Sequence, residues 1–206
     1  MKKIAYLLSA LLTVLLFSGQ AQASEPIDFA ALKVGDVIKL GHYEQDGDET
    51  NGPEAIEWQI VFVKGKKILA LAKDNIELYD FQPDYKVPSV AIQEAALTLL
   101  SWTKKDFSKK AFTKEEKAHV KASFVMSKKD VEKMVPAEFR AAKPSPLVLK
   151  KGAEVGEGGN CRWWLDKDTN PYSGHHNLVN ASGNFGAEVL FKNKVSAIRP
   201  AIWLKP

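Results

Sequence analysis

A single cysteine, Cys161, stands among 206 residues, so no disulfide can form within the chain and the fold must hold by packing. Histidine is scarce too: there are four, and His175 and His176 are adjacent, so their side chains diverge. That is too few ligands, too poorly spaced, for a zinc site. No glycine-rich phosphate loop, G-x-S-x-G elbow or HExxH pair occurs. The motif-borne routes to nucleotide binding, serine hydrolysis and zinc proteolysis are therefore missing, and no cofactor is expected. Repeats and low-complexity linkers are absent as well.

What is present begins with a secretory signal. Lys2 and Lys3 precede the apolar run IAYLLSALLTVLLF, and AQA ending at Ala23 supplies a small-residue cleavage site. The run breaks at Ser18-Gly19-Gln20, short of the about 20 apolar residues that a membrane span needs. Residues 1–23 are expected to be removed, leaving a leader over 24–33 and a single domain over 34–206 that works in a secreted or periplasmic setting and does not span a membrane. Losing the two signal lysines takes Lys+Arg from 29 to 27 against 25 Asp+Glu. The remaining lysines alternate with acids, as in TKEEKAHVKA, which marks a solvated face and no nucleic-acid partner.

Nine of the ten Phe lie beyond the signal and join five Trp to supply the core area. KVGDVIKLGHYEQ reads as a strand with Ile38 and Leu40 on one face. EWQIVFVKGKKILALAK reads as a hairpin turning at Lys64-Gly65-Lys66, with Trp58, Ile60 and Phe62 sharing a face at period two. Both of its strands are apolar on both sides, which suits the interior of a sheet. VAIQEAALTLLSW carries a helical stripe through Ile92, Ala96, Leu99 and Trp102. Thr113 with Glu116 forms a capping box opening KEEKAHVKA, and Ser127 with Asp130 caps KKDVEKMV before Pro136 stops it. SFVM reads as a short strand between them. Short strands CRWWL, HNLVNA, AEVLF and VSAIRPAIWL then emerge from loop-rich sequence, with Pro200 at a bulge or facing away from a partner strand. This order is α+β and not alternating α/β.

GHYEQDGDETNGPEAIEW, LLSWTKKDFSKKAFTKEE, FVMSKKDVEKM, GNCRWWL and IRPAIWL, in this order, resemble a bacterial family of secreted domains of unknown function, number six-two-seven-three. The likeness runs from about Val34 to Leu204. It implies the C-type-lectin-like fold shared with formylglycine-generating enzymes: a central antiparallel sheet, two or three helices, paired first and last strands, and long C-terminal loops that carry ligands. It implies no activity. The chain departs from the family at Asp166, where an arginine is usual, and at Leu99, Leu100, Ser101, Trp102 and Thr103, where the family tends to Leu-Arg-x-Trp-Leu; a family ligand using those arginines is not implied here.

Formylglycine-generating enzymes use paired cysteines, so lone Cys161 is expected to be a buried small hydrophobe and not a nucleophile. Strand alternation should split Trp163 from Trp164, one packing against the Trp58 hairpin and the other facing outward to stack on a sugar or peptide. His175, His176 and Asn177 on the late loops would add polar contacts. Asp166, Asp168 and Asn170 start like a calcium loop, but Pro171 stands where Gly is needed and Asn177 where a closing Glu is needed, so no metal is expected. Gln82 to Asp84, QPD, matches the sugar-selecting triplet of calcium-dependent lectins but lies before the helices. The expectation is a non-catalytic binding module for a glycan, peptide or envelope component. An extracytoplasmic hydrolase or oxidase on the same scaffold, or a structural envelope protein, are the alternatives.

Overall fold

The computed structural model describes residues 27–80, 99, 101–166, 175–189 and 195–206. The QPD triplet, most of the 90–102 stripe, residues 1–23 and Asp168 to Gly174 lie outside the described residues. The fold is α+β; among the described residues there are two five-stranded sheets, and the helices are short apart from a π- and α-helical stretch that runs unbroken from Trp102 to Ala111. No helix among the described residues is long and apolar enough to cross a membrane.

The first sheet is antiparallel throughout. It orders β1 (Val37–Tyr43), β2 (Glu54–Lys64), β3 (Lys67–Ala72), β10 (Pro200–Leu204) and β5 (Val120–Val125) as β1-β2-β3-β10-β5. The second orders β4 (Glu77–Asp80), β9 (Val195–Ile198), β6 (Trp163–Trp164), β7 (His175–Val179) and β8 (Phe185–Val189) as β4-β9-β6-β7-β8. Within it only the β6–β9 pair is parallel.

The hairpin forms where expected, with Lys64 paired to Lys67 around Gly65. Its facial pattern is different. The register slips between Ile60 and Phe62, leaving Val61 as an extra residue. Such a bulge reverses the phase of alternation beyond it. Trp58 and Ile60 therefore enter one core while Phe62 packs into the other.

The terminal strands share a sheet but do not pair, contrary to expectation. β10 lies between β3 and β5, and among the described residues β1 is an edge strand bonded only to β2. The reason is burial: four of the five β10 residues are buried, so the strand needs neighbours on both sides, whereas β1 alternates exposed and buried residues and tolerates an edge. VSAIRPAIWL is likewise two strands, not one. β9 ends at Ile198 in the second sheet, and after Arg199 the chain enters the first, with Pro200 as the opening residue of β10, a position where a missing N–H is tolerated.

The capping box at Thr113 and Glu116 is present, as is the Ser127 cap accepting from the Asp130 N–H. The first of these helices stops at Ala118, shorter than its sequence suggests. Val120 onward is drawn into β5 by pairing with β10, where Leu204 opposes Val120. Sheet pairing here outweighs local helix propensity.

Three apolar clusters follow from this layering. One face of the first sheet, with Trp58, Ile60 and Ile202, is covered by Phe107, Ala111 and Phe112 from the helical arm and by Ile27, Phe29 and Leu32 of the segment before β1. Between the sheets lie Val61, Leu69, Leu71 and Ala201 from one side and Trp163, Val179 and Ala197 from the other. Trp164, Leu178 and Ile198 pack with Leu99 and Val125 in a third. Trp58 also donates its indole N–H to the Leu40 carbonyl at 2.7 Å, which satisfies its one polar group inside the core.

Gly41 ties β1 to the arm. Its φ of +76° suits only glycine, and a Cβ there would sit 2.5 Å from the Ala111 carbonyl. Its N–H reaches Glu116 Oε1 at 3.0 Å. The register slip between Lys39 and His42 at this glycine re-aims His42 and Tyr43 as the strand leaves the sheet.

Candidate functional site

The tryptophan pair is not a ligand surface. Alternation does split it, sending Trp163 to the core between the sheets and Trp164 to the third cluster. Both faces of the sheet are covered at that point, however, and both side chains are 0% exposed. β6 is the central strand of its sheet, which explains why neither face is left to solvent. Trp163 donates to the Arg140 carbonyl at 3.0 Å, and Trp164 meets the His176 ring edge-on at 5.2 Å.

His176 is also buried, with Nε2 2.7 Å from the Leu165 carbonyl. Burial pulls its pKa below the ordinary histidine value, against the opposing Leu165 hydrogen bond. It is a core residue of β7, not a ligand contact. His175 pairs through its backbone with Val189, and half-buried Asn177 with Ala187, its carbonyl accepting from Leu165. The three residues are consecutive on β7, and of the described side chains His176 is buried with the tryptophans.

Cys161 is buried, and burial pushes its thiol up to about 11. Asn75 donates to its sulfur at 3.1 Å. The same asparagine receives the Ser145 N–H on its carbonyl and donates its own N–H to Lys143. This knot fixes the chain before Pro146–Lys150 against the start of β4. The helix then forms locally, because Ser145 caps Val148 N–H, Pro146 occupies the first turn and Val148 buries inward.

A cleft of about 420 Å³ opens beside that helix. Tyr43 comes from the end of β1, Glu77 from the start of β4 and Lys151 from the end of the helix. The Tyr43 hydroxyl donates to Glu77 Oε2 at 3.3 Å, and Lys151 pairs with Glu77 Oε1. Burial first, and the Glu77 charge second, push the Tyr43 phenol well above its ordinary value, so it remains a donor. Its ring is wedged against Phe107 and Trp102 at centroid separations of 5.4 and 6.1 Å. His42, Glu44, Gly47, Glu49, Pro53, Lys110 and Leu147 complete the lining.

The loop forming one wall is held firmly for its composition. Leu147 N–H donates to the Gln45 carbonyl at 2.7 Å and Lys150 Nζ to the Gly47 carbonyl at 2.7 Å. Glu44 Oε1 accepts from Gly47 N–H at 2.6 Å, and Glu54 Oε2 accepts from Gln45 N–H at 2.6 Å. Glu44, Asp46 and Glu54 bring carboxylate oxygens within 4.8 Å of one another. Asp46 is held below the ordinary aspartate value by hydrogen bonds from Asn51 and the Asp48 backbone. Each of the three carboxylates is thus used to shape the loop.

None of Tyr43, Glu77 or Lys151 stands out from the sequence. Tyr43 and the loop fall inside the GHYEQDGDETNGPEA motif, but Lys151 and Glu77 are 74 positions apart and meet only through the Asn75 knot. Arg199 was open to detection, as a lone arginine in an apolar run. It is 2% exposed and donates to the carbonyls of Ala72, Phe139, Arg140 and Lys73 at 2.7, 2.8, 3.0 and 3.3 Å. It also lies over the Trp163 ring at 5.4 Å.

Comparison with protein-family models, with curated proteins and with solved structures finds no match to this chain.

Proposed function

We propose that the protein is a non-catalytic binding module working outside the cytoplasm, and that its ligand occupies the Tyr43–Glu77–Lys151 cleft. The observation that carries the reading is the cleft itself. Its volume of about 420 Å³ is of the size that takes small ligands, and apolar surface from Tyr43, Pro53 and Leu147 alternates with charged groups along its walls. The signal-like N-terminus supports the setting, and the likeness to secreted lectin-like domains is part of the proposal on its sequence motifs alone, since the first and last strands share a sheet without pairing. The position differs from what that likeness implies, since the wall comes from the early loop 44–53 and not from the late loops.

The hydrogen bonding at the Tyr43–Glu77–Lys151 centre favours binding over hydrolysis there. A hydrolase needs a group free to take a proton or attack a carbon. Tyr43 is held protonated, and Glu77 uses Oε2 for Tyr43 and Oε1 for Lys151 and the Leu78 N–H. Cys161 and His176 are buried away from the cleft. A glycan and peptide array probed with wild-type protein and with the Tyr43→Phe/Lys151→Ala variant tests the reading. Binding that disappears in a still-folded variant supports it; binding that survives the double change, or turnover of a bound compound, overturns it.

A further inference from the structure

The cleft lies where two oppositely charged parts of the chain meet. Loop 44–54 carries five carboxylates and no lysine or arginine, whereas segment 104–121 carries seven lysines against three carboxylates. Glu49 lines the cleft from the first and Lys110 from the second. Among the described residues neither enters an ion pair, and they stand too far apart to pair with each other. Glu77 and Lys151, in the same cleft, are already paired.

We infer that the cleft takes a zwitterion, a free amino acid or short peptide whose ammonium group lies toward Glu49 and whose carboxylate lies toward Lys110. This rests on the cleft being the binding site. Glu49 and Lys110 are both exposed, so a neutral ligand would leave them hydrated and gain nothing from either charge. A purely anionic ligand would face Glu44 and Glu49, and a purely cationic one Lys110 and Lys151. Only a molecule bearing both signs is matched at both walls. Pro53 and Leu147 add apolar surface for a side chain between them.

The test is an NMR titration of the isotope-labelled protein with alanyl-alanine, its N-acetyl form, its C-terminal amide, phosphoethanolamine and a neutral N-acetylglucosamine trimer. Alanyl-alanine is expected to shift the amide signals of Tyr43, Gly47 and Lys151. Blocking either end should weaken binding about two- to fivefold, the scale of one exposed charge pair, with the difference shrinking at high salt. In Glu49→Gln the acetyl block should lose its effect while the amide block keeps it; Lys110→Gln should show the reverse. Blocked and free dipeptides binding equally would overturn the inference. So would phosphoethanolamine binding where alanyl-alanine does not. A neutral trimer that shifts the cleft signals, with no response to alanyl-alanine, sinks the zwitterion but leaves the cleft as the site. Silence of those signals toward all five probes removes both.

Discussion

Replacing Arg199 by methionine keeps the aliphatic stem in place but removes a guanidinium that ties the end of β3 to the Phe139–Arg140 segment and lies over the Trp163 ring of the second sheet. The Arg140 carbonyl retains the Trp163 indole as a donor, but the Phe139 and Lys73 carbonyls lose the donors that hold them. The Ala72 carbonyl loses its bond at the end of β3 as well. The Ala72 bond is buried, whereas the Phe139 and Lys73 bonds are only part-buried and open to replacement by water. With an unsatisfied buried carbonyl at about 1–3 kcal/mol, the loss comes to about 2–3 kcal/mol. Burial raises the pKa of half-buried Asp74, and the arginine charge is one of the influences that oppose this, so its loss raises that pKa further. With a urea slope of about 2 kcal/mol/M, the midpoint should fall by about 1 M. Arg199→Lys should recover little, because an ammonium cannot serve four divergent carbonyls with a planar fork. Urea unfolding followed by tryptophan fluorescence, with the slope unchanged, is the measurement. A midpoint shift under about 0.5 M in Arg199→Met would refute the view that this side chain secures the crossover between sheets.

Trp163→Ala and Trp164→Ala should each cost about 3–5 kcal/mol by cavity formation, measured by the same unfolding curves; a loss below about 1 kcal/mol for either would contradict its burial. Cys161 should label with a thiol reagent far more slowly in the native protein than in urea at pH 8, since its thiol is buried and raised to about 11; native labelling at the unfolded rate would count against this. His176 has a folded pKa below its unfolded value of 6.5, so the unfolded chain binds the proton more readily in acid. Stability should therefore fall as pH drops below about 6.5, and His176→Phe should flatten that part of the pH–stability curve; an unaltered slope would show that other groups cause it.

Much of the local structure was legible because it rests on local physics. The Thr113–Glu116 box, the Ser127 cap and the turn at Gly65 each need only residues within a few positions of one another. Alternation separated Trp163 from Trp164 correctly, and a lone cysteine beside them was rightly read as buried. Alternation says which side of a strand a residue faces. It does not say whether that side is open, and here Leu99, Val125 and Ile198 close the second face over Trp164. The candidate site moved for that reason.

The sequence by itself determined the α+β class, the caps and turns, and the hydrophobic content of each strand, since these follow from dihedral preference and side-chain periodicity over short windows. Only tertiary structure decided that β10 lies inside the first sheet, that the chain changes sheets at Arg199, and that Tyr43, Glu77 and Lys151 share a cleft. These depend on contacts between distant segments, whose free energy comes from burying both partners at once. No window of sequence contains both partners, so neither the bulge that re-aims Tyr43 nor the Asn75 knot that delivers Lys151 could be read before the chain was folded.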